Sequence, residues 1–373
     1  MNRIQISEII QDLDKKMVFM IGPRQVGKTH LAQQVMKHFK DPLYLNYDRI
    51  EDRQIIVQEN WLESVDLLVL DELHKMPQWK NYLKGIYDTR PSTMRILVTG
   101  SARLGIYQHA GDSLAGRYFC HHLLPFSLAE LDQLDQETDL DFWLNRSGFP
   151  EPYLSPADID AERWRMQYID SIVNIDVLSF DNIHNLAAMR TVLALLRTKV
   201  GSPISYQSLA QDSGISAPTT KKYVEILEAL YIIFRVTPFA KNIGRSLLKE
   251  PKVYFFDSKL VKGHEGAIIE NGVAMSLLKH VYAKRDYDAQ PYSLHYLRTK
   301  EKREVDFALV CDDQIMQAIE VKTTDKTISP TLKWYCEKYQ LPGVQVVKHL
   351  KREYQMGPIA VRSAINFLKA LQL

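Results

Sequence analysis

Cysteine is scarce in this chain. Cys120, Cys311 and Cys336 are the only three in 373 residues. They are too few and too scattered for a disulfide framework or a cysteine-based zinc site, and they fit a reducing compartment. Long apolar runs are missing as well. None approaches the roughly 20 residues that span a bilayer. The opening MNRIQISEIIQDLDKK carries acids and no extended apolar core, so no signal peptide is expected. The expectation is a cytoplasmic protein with no membrane partner. An excess of one charge is absent too: 47 Lys and Arg stand against 45 Asp and Glu, a net charge of +2. This excludes a polycation or an acidic tail protein, and leaves any nucleic-acid contact to a local patch. Eleven histidines are present, yet none has an H-E-x-x-H or comparable metal spacing. His121 and His122 are adjacent on a strand pattern and so point to opposite faces.

What remains is ordinary globular composition, 46% hydrophobic and 25% charged, with length for two or three domains. The first third alternates short apolar runs with helical patterns, the mark of an α/β unit. Met17–Ile21, Leu43–Tyr47, Asp66–Leu70 and Arg95–Thr99 read as strands of a covered parallel sheet, and His30–Phe39 reads as a helix. From about Ser127 to Val200 the pattern turns helical, most clearly over Arg163–Ile175 and Leu186–Val200. Strands return from Lys252: VYFFD, YSLHYL, EVDFALV, QIMQAIEV and VQVV. Boundaries are expected near 150 and 250, giving segments 1–150, 151–250 and 251–373.

Gly22-Pro23-Arg24-Gln25-Val26-Gly27-Lys28-Thr29 is a full Walker A pattern, set between a strand and a helix as the motif requires. Its glycines let main-chain amides turn inward as an anion nest, and the helix N-terminus beginning near His30 adds its dipole. ATP is the expected cofactor, with Lys28 on the β- and γ-phosphates and Thr29 on Mg²⁺. Leu67–Leu70 followed by Asp71 and Glu72 is a Walker B candidate. Asp71 would hold Mg²⁺ through water, and Glu72 would polarise the attacking water. In P-loop sheets of the additional-strand type, the strand Arg95–Thr99 would lie between the Walker A and Walker B strands. Thr99 or Ser101 at its tip would then sense the γ-phosphate, although Ser101 equally suits a helix N-cap.

Together, GPRQVGKT, LLVLDE, VTGSA, SLAGR and LLPFSLAEL resemble the AAA+-type ATPases of the archaeal-type bacterial group. The resemblance implies ATP hydrolysis. It gives Arg117 of Leu-Ala-Gly-Arg a role in phosphate sensing, or as a finger reaching a neighbouring subunit's nucleotide. A ring or dimer would follow from the second role, while a surface salt bridge is the plainer alternative.

Ile204–Leu230 reads as two helices around a tight turn. Leu209 and Ala210 would face the core, Gly214 would allow the turn, and Ile215 would plug the core. Ser216 would cap the second helix, with Pro218 in its first turn. This resembles a winged helix. If it reads DNA, Thr219, Thr220, Lys221 and Lys222 begin the recognition helix. Lys241, Arg245, Lys249 and Lys252 would then form a basic wing. Winged helices also serve as linkers and protein-docking modules, so both readings stand.

Farther on, Glu304-Val-Asp306 and Glu320-Val-Lys322 suit a hairpin turning near Asp312-Asp313. Glu320 and Lys322 would share a face, and Glu270 would join them from a helix. This is the arrangement of the PD-(D/E)XK nuclease fold, which the resembled family also carries at its C-terminus. Asp306, Glu320 and Glu270 would bind Mg²⁺, and Lys322 would activate water. The alternatives are an inactive recognition module and a buried ion-pair network. The overall expectation is an α/β protein: an AAA+-type P-loop domain, a helical and winged-helix middle, and a nuclease-like α/β end acting on DNA.

Overall fold

The computed structural model describes residues 3–100, 114–177, 183, 185–240, 250–324 and 327–372. The chain divides after Leu124 into two compact units.

The first unit is built on five parallel strands: β1 (Met17–Ile21), β2 (Pro42–Asn46), β3 (Leu67–Asp71), β4 (Arg95–Thr99) and β5 (Tyr118–His122). Their order across the sheet is β2-β3-β4-β1-β5. Strand β4 therefore separates β1 from β3, as expected for an additional-strand P-loop sheet. The strands are apolar on both faces because both are covered. Met17, Phe19 and Ile21 point to one side, where Trp79, Leu83 and Ile86 of a helix over Trp79–Thr89 pack with them. Val18 and Met20 point to the other, against Ile9 and Leu13 of the helix α1 (Ile6–Leu13) and Leu31, Ala32 and Val35 of α2 (Lys28–Met36).

The second unit runs from Pro125 to Leu373. Helix α3 (Leu186–Arg197) packs on α4 (Tyr206–Ser213) and α5 (Ala217–Ala229). The hairpin β6 (Ile233–Pro238) and β7 (Lys252–Phe255) follows. Next come α6 (Glu265–Asp286), β8 (Tyr292–Arg298), β9 (Glu304–Cys311), β10 (Gln314–Thr324), α7 (Pro330–Tyr339), β11 (Gly343–His349), β12 (Tyr354–Met356) and β13 (Ile359–Ser363). These eight strands form one sheet, ordered β12-β13-β11-β10-β9-β8-β6-β7. The hairpin belongs to it because β6 pairs in parallel with β8. Strands β9 and β10 turn at Asp312 and Asp313, both at positive φ (48° and 60°), and pair Cys311 with Gln314. That is the two-residue geometry whose twist suits a hairpin. Helix α7 carries the crossover from β10 to the parallel β11.

Candidate functional sites

The phosphate loop follows β1 and ends where α2 begins at Lys28. Gly22 has φ 151°, and a Cβ there would stand 2.0 Å from the Leu123 carbonyl oxygen. No side chain fits that approach. Pro23 and Val26 are buried, Arg24 is half-buried, and Gln25 is exposed at positive φ (58°). Gly27 precedes the helix at φ 95°. The Lys28 ammonium folds back over the loop and donates to the Gly22 carbonyl (3.0 Å) and the Pro23 carbonyl. Burial lowers its pKa to about 8 against the opposing pull of Glu72 and Asp71. Thr29 is exposed and donates from Oγ1 to Asp71 Oδ2 at 3.2 Å. His30 is exposed on the next position and meets Gln34 at 3.1 Å, an interaction within its own helix.

Asp71 closes β3 and is surrounded by donors. The Tyr44 hydroxyl reaches Oδ2 at 2.6 Å, the Thr99 hydroxyl reaches Oδ1, and the Glu72 amide reaches Oδ1 at 3.0 Å. The register aligns Asp71 with Thr99 on β4 and with Asn46 on β2. Thr99 is fully buried, so its hydroxyl is committed to holding Asp71. Ser101, the other sensor candidate, lies outside the described residues. Glu72 leaves the strand in the left-handed region (φ 56°). Its pKa is raised, by burial first, with Lys75 opposing and Asp71 adding. A carboxylate with a raised pKa beside an aspartate is suited to taking a proton from water. Tyr44 was missed by sequence reasoning; only its place on the strand beside the Walker B strand hinted at it.

Arg117 sits elsewhere. It precedes β5, whose Tyr118 pairs with Met17 at the start of β1, the end of that strand opposite the loop. Its guanidinium is bidentate on Asp88, at 2.8 and 3.0 Å. The reading of Arg117 as a phosphate sensor for its own subunit is corrected by this position. The bidentate pair with Asp88 matches the plainer reading, a surface salt bridge.

In the second unit, Ser216 caps α5 by accepting from the Thr219 amide, Pro218 lies in the first turn, and Gly214 closes α4. Lys221 and Lys222 are exposed, and Lys221 lies 3.9 Å from Glu225. Thr219 shares its hydroxyl with Ser216 at 2.7 Å. Thr220 is fully buried, and its hydroxyl donates to the Ser216 carbonyl at 3.1 Å. Its assignment as a DNA contact is therefore corrected. Ile215 is only half-buried. Lys241, Arg245 and Lys249 lie outside the described residues.

Lys252 is the larger correction. It is no wing residue: it begins β7, is 0% exposed, and directs its ammonium into an acidic cluster. Its Nζ lies 2.9 Å from Glu304, 3.5 Å from Asp306 and 3.6 Å from Glu270. Burial alone would pull its pKa down, but Asp306, Glu270 and Glu304 outweigh that and hold it raised. Glu270 comes from α6 and also accepts from the Tyr254 hydroxyl at 2.7 Å. Its pKa is raised by burial and then by Asp306, with Lys252 opposing. Gly201, at φ 78°, lets the backbone pass this carboxylate; a Cβ there would stand 2.6 Å from its Oε2.

Asp306 accepts the Val321 amide at 2.9 Å, which ties β9 to β10. Ile319 pairs with Phe307, so the same register carries Glu320 next to Asp306. Glu320 is 5% exposed. Lys322 donates to its Oε1 at 2.7 Å, while Oε2 is buried with no hydrogen-bond partner. Its pKa is raised by burial, then by Asp306. Thus Glu270, Asp306, Glu320 and Lys322 converge. Among the described residues, however, no three His, Cys, Asp or Glu side chains are arranged to hold a metal ion. Glu270 and Asp306 are instead turned toward Lys252. Lys252, Glu304 and Tyr254 were missed in the sequence. The spacing of Glu304 and Asp306, two apart on one strand face, was the available signal for the acid.

Three family matches divide the chain. Residues 14–132 match the AAA domain. Residues 137–266 match a domain of unknown function (DUF8612), and residues 265–363 match another (DUF4143). The uncharacterized protein Rv2008c of Mycobacterium tuberculosis is 24% identical over 298 residues. That alignment covers 78% of this chain and 66% of the relative, just under two thirds of its length. The uncharacterized protein MJ1637 of Methanocaldococcus jannaschii is 23% identical, over 94% of this chain and 84% of the relative. Among solved structures, the Walker-type ATPase PABY2304 of Pyrococcus abyssi aligns with a TM-score of 0.45 at 12% identity, over 69% of this chain and 93% of that one. The Aeropyrum pernix ORC1 protein, solved in complex with DNA, aligns with a TM-score of 0.36 at 14% identity, over 74% and 95%. Among the described residues no helix is long and apolar enough to cross a membrane. The AAA match coincides with the loop lysine, the paired acids and the interposed β4, and residues 14–132 are an AAA-type P-loop ATPase domain.

Proposed function

We propose that this chain is a Mg²⁺-dependent ATPase that acts on DNA, and that its C-terminal sheet carries a phosphodiester-cleaving site. In the first unit the loop amides would receive the phosphates, and Lys28 would leave the Gly22 and Pro23 carbonyls for the β- and γ-oxygens. Glu72 would draw a proton from the attacking water. The oxygen donors Thr29 and Asp71, 3.2 Å apart, fit Mg²⁺, with Asp71 acting through water. The ion would neutralise charge on the transferred phosphoryl group.

The observation that carries the DNA-cleaving reading is Glu320. Its Oε2 is buried and makes no close hydrogen bond, with only the Ser329 side chain and Lys322 offering the carboxylate a donor, a state that a bound cation would relieve. Asp306 stands beside it and Lys322 touches its other oxygen. The element order α6-β8-β9-β10-α7-β11 supports a PD-(D/E)XK-like core, and the capped helix pair α4–α5 followed by β6–β7 supports a winged helix. With a divalent ion on Asp306 and Glu320, Lys322 would position water at the scissile phosphate.

The expected result is cleavage of plasmid and linear DNA with Mg²⁺ or Mn²⁺, lowered about 100-fold or more by Asp306→Ala and by Lys322→Ala. Equal cleavage by wild type and both variants would point to a contaminant and defeat the reading. Exchanging Lys221 and Lys222 together for alanine is expected to weaken duplex binding. It should also lower the salt slope by about two, roughly one per lost phosphate contact. An unchanged slope removes α5 from the interface.

A second reading is favoured by Lys252. An ammonium among Glu270, Glu304 and Asp306 already balances much of the cluster's charge. That suits a nucleotide-switched binding module whose nuclease-like domain no longer cuts. DNA binding by wild type without any metal-dependent cleavage selects this reading.

A further inference from the structure

A cleft of about 930 Å³ opens in the second unit beside the turn joining β8 to β9 and along α7. Its floor is aromatic. Trp334 and Tyr335 meet edge to face with centroids 5.0 Å apart, and Tyr339 stands 6.0 Å from Trp334. Two cations lie over the indole: Arg303 at 4.7 Å and Lys338 at 4.5 Å from its centroid. Lys338 also lies 5.4 Å from the Tyr339 ring. Among the charged lining residues, Arg298, Lys300, Arg303 and Lys338 stand against Glu301 and Asp313. Tyr339 is 51% exposed, so much of its ring is open to a flat partner.

A floor of this kind is matched to one chemistry. Aromatic faces stack unpaired nucleobases whatever their identity, and adjoining cations take the backbone phosphates. An apolar peptide would offer nothing to the excess of positive charge in the lining, four cations against two acids. A duplex keeps its base faces stacked inside and cannot offer them. The cleft is also linked to the acidic cluster by one carboxylate. Arg298 lies 3.4 Å from Glu304, whose other oxygen is 2.9 Å from Lys252.

We propose that this cleft binds single-stranded DNA by stacking an unpaired base on the exposed face of Tyr339, with Lys338 beside it to take a backbone phosphate, and so feeds a strand toward the Asp306–Glu320 pair. The inference rests on the reading that the chain acts on DNA, and it adds the strand state of the substrate.

The test is fluorescence anisotropy of the full chain with a short labelled oligothymidylate and with a mixed-sequence duplex of equal length. Tyr339→Ala is expected to weaken single-strand binding about tenfold, the scale of one lost base stack. Tyr339→Phe should bind like wild type, and Lys338→Gln should weaken binding with a shallower salt dependence. Duplex affinity should be the same in all four proteins. Unchanged single-strand affinity in both Tyr339→Ala and Lys338→Gln overturns the cleft while leaving the DNA reading standing. No binding of either DNA by wild type overturns both. Displacement of the oligothymidylate by polyglutamate as readily as by unlabelled oligothymidylate overturns the proposal in favour of an acidic peptide.

Discussion

Alanine in place of Lys28 is expected to lower ATP turnover about 100-fold or more while leaving the fold intact. The magnitude is that of removing one pre-aimed donor from a developing phosphoryl charge. The fold should survive because the ammonium bonds only to two loop carbonyls, Gly22 and Pro23, while the core positions Leu31, Ala32 and Val35 keep α2 on the sheet. Steady-state phosphate release by purified wild type and variant measures it, and an unchanged rate would defeat the assignment of catalysis to this loop. The same lysine sets a pH dependence. Its pKa is lowered to about 8, and a bound triphosphate would raise it by opposite charge. Below pH 8 the lysine is already an ammonium. Above pH 8 binding must take up a proton, so ATP affinity should fall as pH rises through that value. Calorimetry in buffers of different ionisation enthalpy reads the proton uptake directly.

Lys252→Met should destabilise the second unit by about 3–5 kcal/mol, the cost of removing one partner from a buried ion cluster. Three carboxylates from α6 and β9 face this ammonium, and methionine fills its volume without its charge. Chemical denaturation followed by circular dichroism gives the loss. The pH dependence identifies the mechanism. Glu270 has a raised pKa in the fold, so the folded state holds a proton more readily than the unfolded chain. That contribution disfavours the fold as pH rises through the folded value and vanishes well below the unfolded one. Without the lysine this penalty grows, so the variant's deficit should be largest at alkaline pH and shrink on acidification. A deficit independent of pH would assign Lys252 a packing role alone. Adding Glu304→Gln to Lys252→Met should recover part of the loss, because one of the repelling charges goes.

Much of the phosphate site was legible because its parts are local. The run Met17–Ile21 is buried at every position, and the glycines, lysine and threonine follow directly. The hairpin between β9 and β10 was legible for the same reason, since its turn and both acid-bearing strands lie within about twenty residues. What escaped was non-local. Lys252 follows a basic stretch and reads as solvated; only its pairing with acids some 18 to 54 positions away makes it a core residue. Arg117 lies close to the motifs in sequence, but the parallel register of β5 on β1 sends it to the far end of the sheet. Thr220 has the residue type of a DNA contact, but its place in the first turn of α5 turns its hydroxyl back onto Ser216. Strand β5 was legible only at its end, from His121 and His122, because the half-buried Tyr118, Phe119 and Cys120 make no clean apolar run.

The hairpin β6–β7 belongs at once to the helix pair and to the large sheet. Main-chain hydrogen bonds run without interruption from β7 through β6 to β8, β9 and β10, and Pro203 bridges to Lys252 just before α4. Among the described residues that route is a continuous ladder, with Thr237 and Pro238 of β6 paired to His295 and Tyr296 of β8. A helix that gripped a polymer would be tied through that ladder to the acids on β9 and β10, so the spacing between grip and acids would act as a ruler.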